Sequence, residues 1–296
     1  MSTPDFYFPA EKRVEDSQYV NRLKQILREG IRAQDTPQGV PALTCFGELP
    51  PMVFDLRNGV PLITERKIGF WRKGVAEIIA FLNGARTIDE IESFGCDFWK
   101  DYRGKGSMFG LDPDDMGPGS YGAAFHNFET PDGGTLNQFK QVVEQITKYP
   151  SARTHLVTPW KPYYTARGEN RKVIVAPCHG WLHFRILEGK LSMEMHQRSA
   201  DMPVGVPSNM IQYAALLLMV AQVCGLEPWK YIHSFGDAHI YENQVEEVRK
   251  LVERPAKKFP VLRVDPTVKN LFDFRVEHFT IEEYDPHPGM AIPYLP

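Results

Sequence analysis

Apolar positions recur with a helical period over "DSQYVNRLKQILREGI" (16–31), where Tyr19, Leu23, Ile26 and Leu27 share one face. Asp16 or Ser17 stands where an N-cap belongs. A second helix is predicted over "RKGVAEIIAFLNG" (72–84), closed by Gly84, with Glu77 set among apolar neighbours. That carboxylate either turns to solvent or, if buried, is a site candidate. The period changes to two in "WLHFRILEGKLSMEMHQRS", where a turn at Glu188-Gly189 joins two strands. Along the second strand Leu191, Met193 and Met195 alternate with Ser192, Glu194 and His196, so one face is buried. "VPSNMIQYAALLLMVAQVCG" is apolar nearly all round, with Pro207 near its start and Gly225 at its end, as in a helix through the centre of a large domain. Strands and helices alternate irregularly, which favours an α+β layered fold over a doubly wound parallel sheet. Residues 85–135, rich in Gly, Pro, Asp and aromatics, read as a long loop region. Such a region is either functional or a surface excursion pinned to the core by Trp99 and Tyr121.

Composition adds bounds. Without repeats or low-complexity linkers, residues 1–296 are expected to form a single catalytic domain, with 1–15 as an N-terminal extension. The charge balance of 34 − 37 = −3 gives no electrostatic reason to expect a nucleic-acid or anionic-membrane partner. Cys45, Cys96, Cys178 and Cys224 are widely spread with no CxxC pair, which suits a reducing compartment. The N-terminus lacks a signal-peptide pattern, and the most apolar segment (214–225) is shorter than the ~20 residues that span a bilayer. A soluble, cytoplasmic protein without a membrane partner is expected.

Several residues could carry chemistry. Cys178, in "VAPCHGWLHF", is a nucleophile, a metal ligand or an inert core thiol as far as these ten residues go. A metal site is not expected, because "CHGWLH" has no second pair at ligand spacing. In "HQRSADMP", Gln197, Arg198, Ser199 and Asp201 form either a solvated strand end or a phosphate site, for which Arg and Ser supply the donors. Asn209 near the start of an apolar helix is an unusual amide unless its donor and acceptor are used, for example on a pyrimidine edge. "GDAHIYENQ" clusters Asp237, His239 and Tyr241, the last two on one side of an extended segment.

Taken together, "APCH", "QRSAD", "GVPSN", "GDAHIYEN" and "FDFRVEHFTIEEYDPHPG" occur in the order and approximate spacing of the thymidylate synthase family, which the chain resembles from about residue 18 onward. The resemblance implies a central mixed sheet, a buried helix and a sheet face that forms a homodimer. It implies one-carbon transfer from 5,10-methylenetetrahydrofolate to carbon 5 of a pyrimidine nucleoside monophosphate, with no metal. Cys178 would add to carbon 6 as a thiolate, its pKa lowered by an arginine such as Arg198. Polar groups and ordered water near Glu77 and Asn209 would stabilise the enolate, and Tyr121 would help remove the carbon-5 proton. Arg198 and Ser199 match the phosphate pair, and Arg153 matches an arginine donated by the partner subunit. His239 and Tyr241 match the pair that bonds the sugar hydroxyl. Trp99 and Asp201 match folate-site residues.

There are departures from that family. The loop "AQDTPQGVPALTCFG" has Thr36 and Pro37 where the family has a phosphate arginine, and Thr154 replaces a second one. Each charged hydrogen bond lost is worth roughly 1.5–3 kcal/mol. Ser208 replaces a phenylalanine, Gln212 a serine, and the chain ends "MAIPYLP" in place of a small aliphatic residue. A more polar pocket leans toward water as final acceptor and a 5-hydroxymethyl product, whereas hydride would give a methyl group. Asn209 favours uracil, making deoxyuridylate the expected substrate. Hydroxymethylation of dCMP or CMP, a silent nucleotide-binding homologue and a Cys-dependent hydrolase are the alternatives.

Overall fold

A mixed sheet wrapped by helices organises residues 6–295, which the computed structural model describes. The chain runs through α1 (Gln18–Glu29), β1 (Ile31–Ala33), β2 (Ala42–Phe46) and β3 (Met52–Asp55). Helices α2 (Trp71–Leu82), α3 (Ile88–Ser93) and α4 (Tyr121–His126) follow, then the pair β4 (Phe128–Glu129) and β5 (Thr135–Leu136), and α5 (Gln138–Lys148). Next come β6 (Leu156–Val157), α6 (Pro162–Thr165), β7 (Trp181–Leu187), β8 (Lys190–Asp201), α7 (Gly205–Cys224) and β9 (Glu227–Tyr241). Helix α8 (Val245–Leu251) and the pair β10 (Val261–Val264) and β11 (Phe279–Glu282) precede an irregular C-terminal segment.

The central sheet has seven strands in the order β1-β2-β9-β8-β7-β6, and β3 pairs with the first part of β9. Only β8 and β9 are parallel; every other pairing in that sheet is antiparallel. Parallel neighbours need a crossover, and α7 supplies it. The β7–β8 hairpin turns at Glu188 (φ 53°) and Gly189 (φ 73°), the left-handed pair that a tight two-residue turn requires. Leu191, Met193 and Met195 face the core as the alternation predicts, but Ser192 is buried as well. The β8–β9 register shifts between Leu191 and Met193, and this irregularity breaks the strict in-out pattern at Ser192.

Helix α7 is buried from Val206 through Ala221 and ends at Gly225, whose φ of 67° forms a left-handed cap. By length and composition it could cross a membrane, yet 89% of it lies inside the protein: it is the core. Helix α2 packs along it, and Gly74 allows the approach, since a Cβ there would stand 3.3 Å from the Ser208 carbonyl oxygen. Ser208 thus sits at a helix–helix contact, which explains its small size. In α1, Ser17 holds the cap position without a side-chain bond, while the Asp16 carboxylate accepts the Gln18 N–H at 2.9 Å.

One expectation is corrected. Residues 85–135 are not one long loop: they hold α3, α4 and the β4–β5 pair. Thr87 and Glu90 form a reciprocal capping box that starts α3. The N-terminal segment, whose residues 1–5 lie outside the described residues, packs on the C-terminal part of the chain. The Tyr7 hydroxyl donates to the Leu262 carbonyl at 2.9 Å, and Arg13 pairs with Glu283.

Because Leu216 is fully buried in α7, Leu216→Ala should cost about 2–5 kcal/mol of unfolding free energy. Chemical denaturation would detect it as a lower midpoint with the folded-state circular dichroism retained.

Candidate active site

Cys178 lies three residues before β7, in an irregular segment clamped from three sides. Its N–H donates to the Tyr121 hydroxyl at 2.6 Å, and its carbonyl accepts the Ser199 N–H at 3.4 Å. The Arg198 guanidinium donates to the Pro177 and Ala176 carbonyls at 2.7 and 2.9 Å and reaches Sγ of Cys178 at 3.7 Å. Gly180 is required here: its φ is 95°, and a Cβ would meet the Tyr213 hydroxyl at 2.8 Å and the Phe125 ring at 2.9 Å. Tyr213 and Nδ1 of His179 share a 2.7 Å hydrogen bond. Burial, with Arg198 adding to it, pushes His179 down to about 3, so its imidazole is neutral.

Arg198 lies beside Sγ and lowers the thiol pKa, but it is not the larger influence. Burial pushes Cys178 up, and the opposing pull of Arg198 and Ser199 does not overcome it. The resting group is the thiol.

Beside Cys178, Tyr121 stacks on Phe81 (4.7 Å, 7°) and on His179 (4.7 Å, 26°), and the Trp99 ring meets its edge at 6.3 Å. Burial also holds the Tyr121 phenol well above its ordinary pKa. Trp99 leads from this aromatic wall to Glu77, donating Nε1–H to Oε1 at 2.7 Å. Glu77 is 6% exposed, so its carboxylate is buried, not turned to solvent. Gln212 donates to Oε2 at 2.9 Å and accepts from Asn209 at 3.0 Å. Asn209 accepts from Gln197 at 3.1 Å, and Gln197 accepts from Nε2 of His233 at 2.9 Å. Burial raises Glu77 to about 7, against the lowering bonds from Trp99 and Gln212, and depresses His233 to about 3.

The remaining predicted residues line the ends of β8 and β9. His239 Nδ1 lies 3.0 Å from Asp237, and the Tyr241 hydroxyl donates to Gln38 at 2.8 Å. Gln38 belongs to the loop that has no arginine. Burial raises Asp201, which accepts the Val204 N–H at 3.3 Å and lies 3.3 Å from Nε2 of Gln244. Gln244 also donates to the Pro293 carbonyl at 2.9 Å, which ties the C-terminal segment to this end of the site. Arg153 is not in this group: it is exposed, on the loop before β6.

The family model of thymidylate synthase matches residues 17–295. The chain belongs to the thymidylate synthase family. Members are folate-dependent one-carbon transferases of nucleotide biosynthesis that act on pyrimidine nucleotides and use methylenetetrahydrofolate as co-substrate. The residues of this thymidylate synthase family member fit a folate. Trp99 offers a buried ring, Asp201 a partly buried carboxylate, and nearby Arg66 a buried Nε that has no hydrogen-bond partner.

Sequence reasoning missed His179, Tyr213, His233 and Gln244. His233 left a signal, as a polar residue alternating with Tyr231 and Phe235 on the buried face of β9. Among the described residues, no group of three His, Cys, Asp or Glu side chains gathers as a metal site would require.

The Glu77 shift has a stability consequence. Its folded pKa, about 7, lies above the ordinary 4.5, so the folded state holds the proton more tightly. Its contribution is fully present below pH 4.5 and is lost as pH rises toward 7. Glu77→Gln should flatten the fall in stability across that window relative to the native protein, as measured by denaturation at stepped pH.

Proposed function

We propose that the protein transfers the one-carbon unit of methylenetetrahydrofolate to carbon 5 of deoxyuridylate, with water as final acceptor, giving the 5-hydroxymethyl nucleotide. Cys178 adds to carbon 6, which makes carbon 5 nucleophilic. Asn209 reads the base edge, and the Glu77 end of the polar chain stabilises the enolate. Tyr121, beside Cys178, assists removal of the carbon-5 proton. Arg198 and Ser199 hold the phosphate, joined by Arg153 of a partner subunit in a homodimer. The exposed position of Arg153, away from its own site, suits that donation across an interface. His239 and Tyr241 hold the sugar, while Trp99 and Asp201 hold the folate. Its bound co-substrate supplies the one-carbon unit.

The observation that carries the choice of acceptor is the Glu77–Gln212–Asn209 chain. A carboxylate with a pKa of about 7 is poised as a general base for water near neutral pH. A floor of carboxylate and carboxamide groups can also hold that water. Only Gln212 supports the polar-pocket reading, because Ser208 is engaged at the α2–α7 contact. The aromatic wall of Trp99, Phe81 and Tyr121 favours a second reading, in which a dry site lets hydride finish the reaction and yields thymidylate. Four unpaired cysteines support a reducing, cytoplasmic setting.

Incubation with deoxyuridylate and methylenetetrahydrofolate, followed by mass measurement of the nucleotide and dihydrofolate absorbance, tests the proposal. A hydroxymethyl product without dihydrofolate is expected; a methyl product with matching dihydrofolate would select the second reading. Cys178→Ser should abolish turnover, and unchanged activity would remove the covalent mechanism.

A further inference from the structure

Every bond in the chain of side chains at the site points toward Glu77. Trp99 and Gln212 donate to Glu77, Asn209 donates to Gln212, and Gln197 donates to Asn209. Two groups that can only accept hold this sense from opposite ends. One is Glu77, which in its ionised form can only accept and so obliges Gln212 to present its N–H₂, leaving its oxygen for Asn209. The other is the Ser199 carbonyl, which accepts from Nε2 of Gln197 at 3.1 Å and so fixes that amide with its N–H₂ toward Asn209.

Asn209 is left with one orientation. Its oxygen faces Gln197 and its nitrogen faces Gln212, and turning it over would set oxygen against oxygen and nitrogen against nitrogen. Gln212 is fully buried and Asn209 is 7% exposed, so neither misfit could be relieved by bulk water. After these bonds Asn209 still holds one free N–H and one free lone pair. A uracil edge presents the N3–H donor beside the O4 acceptor and pairs with that arrangement. A cytosine edge presents the reverse, N3 as acceptor beside an N4–H donor, and pairs only with the inverted amide.

We propose that Gln212 is a positioning residue that sets base specificity, transmitting the polarity of Glu77 to Asn209 so that the site takes uracil nucleotides and rejects cytosine nucleotides. This inference rests on the pyrimidine-nucleotide reading above and deepens it.

Equilibrium binding of deoxyuridylate and deoxycytidylate to the intact protein, measured by calorimetry, tests it without requiring turnover. The native protein should prefer deoxyuridylate. Gln212→Met, close in length but unable to carry the polarity, should lower that preference on the order of tenfold, because Asn209 loses one of the two holds on its orientation and keeps only that of Gln197. Gln212→Glu should retain the preference when the introduced acid is protonated, since its O–H donates to Glu77 and its carbonyl accepts from Asn209. If Gln212→Met does not fold, Gln212→Leu, which also carries no donor or acceptor, serves in its place and should lower the preference too. A parallel loss of affinity for both nucleotides, with the preference intact, would make Gln212 merely structural and overturn the inference. So would a native protein that binds the two alike. Selective deoxyuridylate binding without any turnover would instead defeat the one-carbon reading and leave the Gln212 assignment standing on its own ratio.

Discussion

A carboxylate inside a protein must find donors, and that demand at Glu77 orders the centre of this molecule. Leaving such a charge unpaired costs several kcal/mol, more than one neutral hydrogen bond returns. Glu77 meets the demand with one donor from Trp99 and one from Gln212. These come from different parts of the chain, so satisfying one side chain of α2 also fixes the segment after α3 and the first turns of α7. Trp99, so held, sets the aromatic wall, and that wall includes Tyr121, on which the Cys178 backbone rests. Ser199 joins the two halves at the other end, bonding Cys178 through its N–H and Gln197 through its carbonyl.

The sheet makes this arrangement possible. Strand β8 delivers Gln197 to the core face and Arg198 and Ser199 to the neighbourhood of Cys178, then ends at Asp201. The chain turns at once into α7, so Asn209 and Gln212 stand within two turns of the helix start and beside the strand they followed. The rest of α7 is apolar and anchors that polar end by burial. Strand β9 returns parallel to β8 and brings His233 under Gln197 and His239 beside the end of β8. A helix that is mostly hydrophobic core thus carries a short polar segment where it meets the strand ends.

Elements with a strong period were readable before the structure: α1, α2, α7 and the β7–β8 hairpin follow from apolar spacing and turn residues. Helices α3 and α4 were not, because six residues hold less than two turns of pattern and the surrounding Gly and Pro masked them. The T-x-x-E box at Thr87 and Glu90 was in the sequence, but its apolar partners in α3 are few. The burial of Glu77 was undecidable locally, since a lone carboxylate among apolar residues has the same spacing on a wet or a dry face. What decides it lies 22 and 135 residues away, at Trp99 and Gln212. The identity of the site residues was readable only as a set, through family resemblance. The electrostatic balance at Cys178 was not, because it depends on the depth of burial set against a single guanidinium.

That guanidinium is under competing demands. Arg198 spends Nε and Nη2 on the Pro177 and Ala176 carbonyls and reaches the thiol with the second of these. It also lies over the Trp160 ring at 5.4 Å. Those bonds orient the Cys178 loop, but a donor engaged with a carbonyl is less available to stabilise a thiolate or a phosphate. Burial then prevails at Sγ, which favours the thiol over the thiolate in the free protein. On the proposed covalent mechanism, activation of Cys178 would belong to the assembled complex, where the base, the folate and the charge they bring change the surroundings of the thiol, and not to the resting fold.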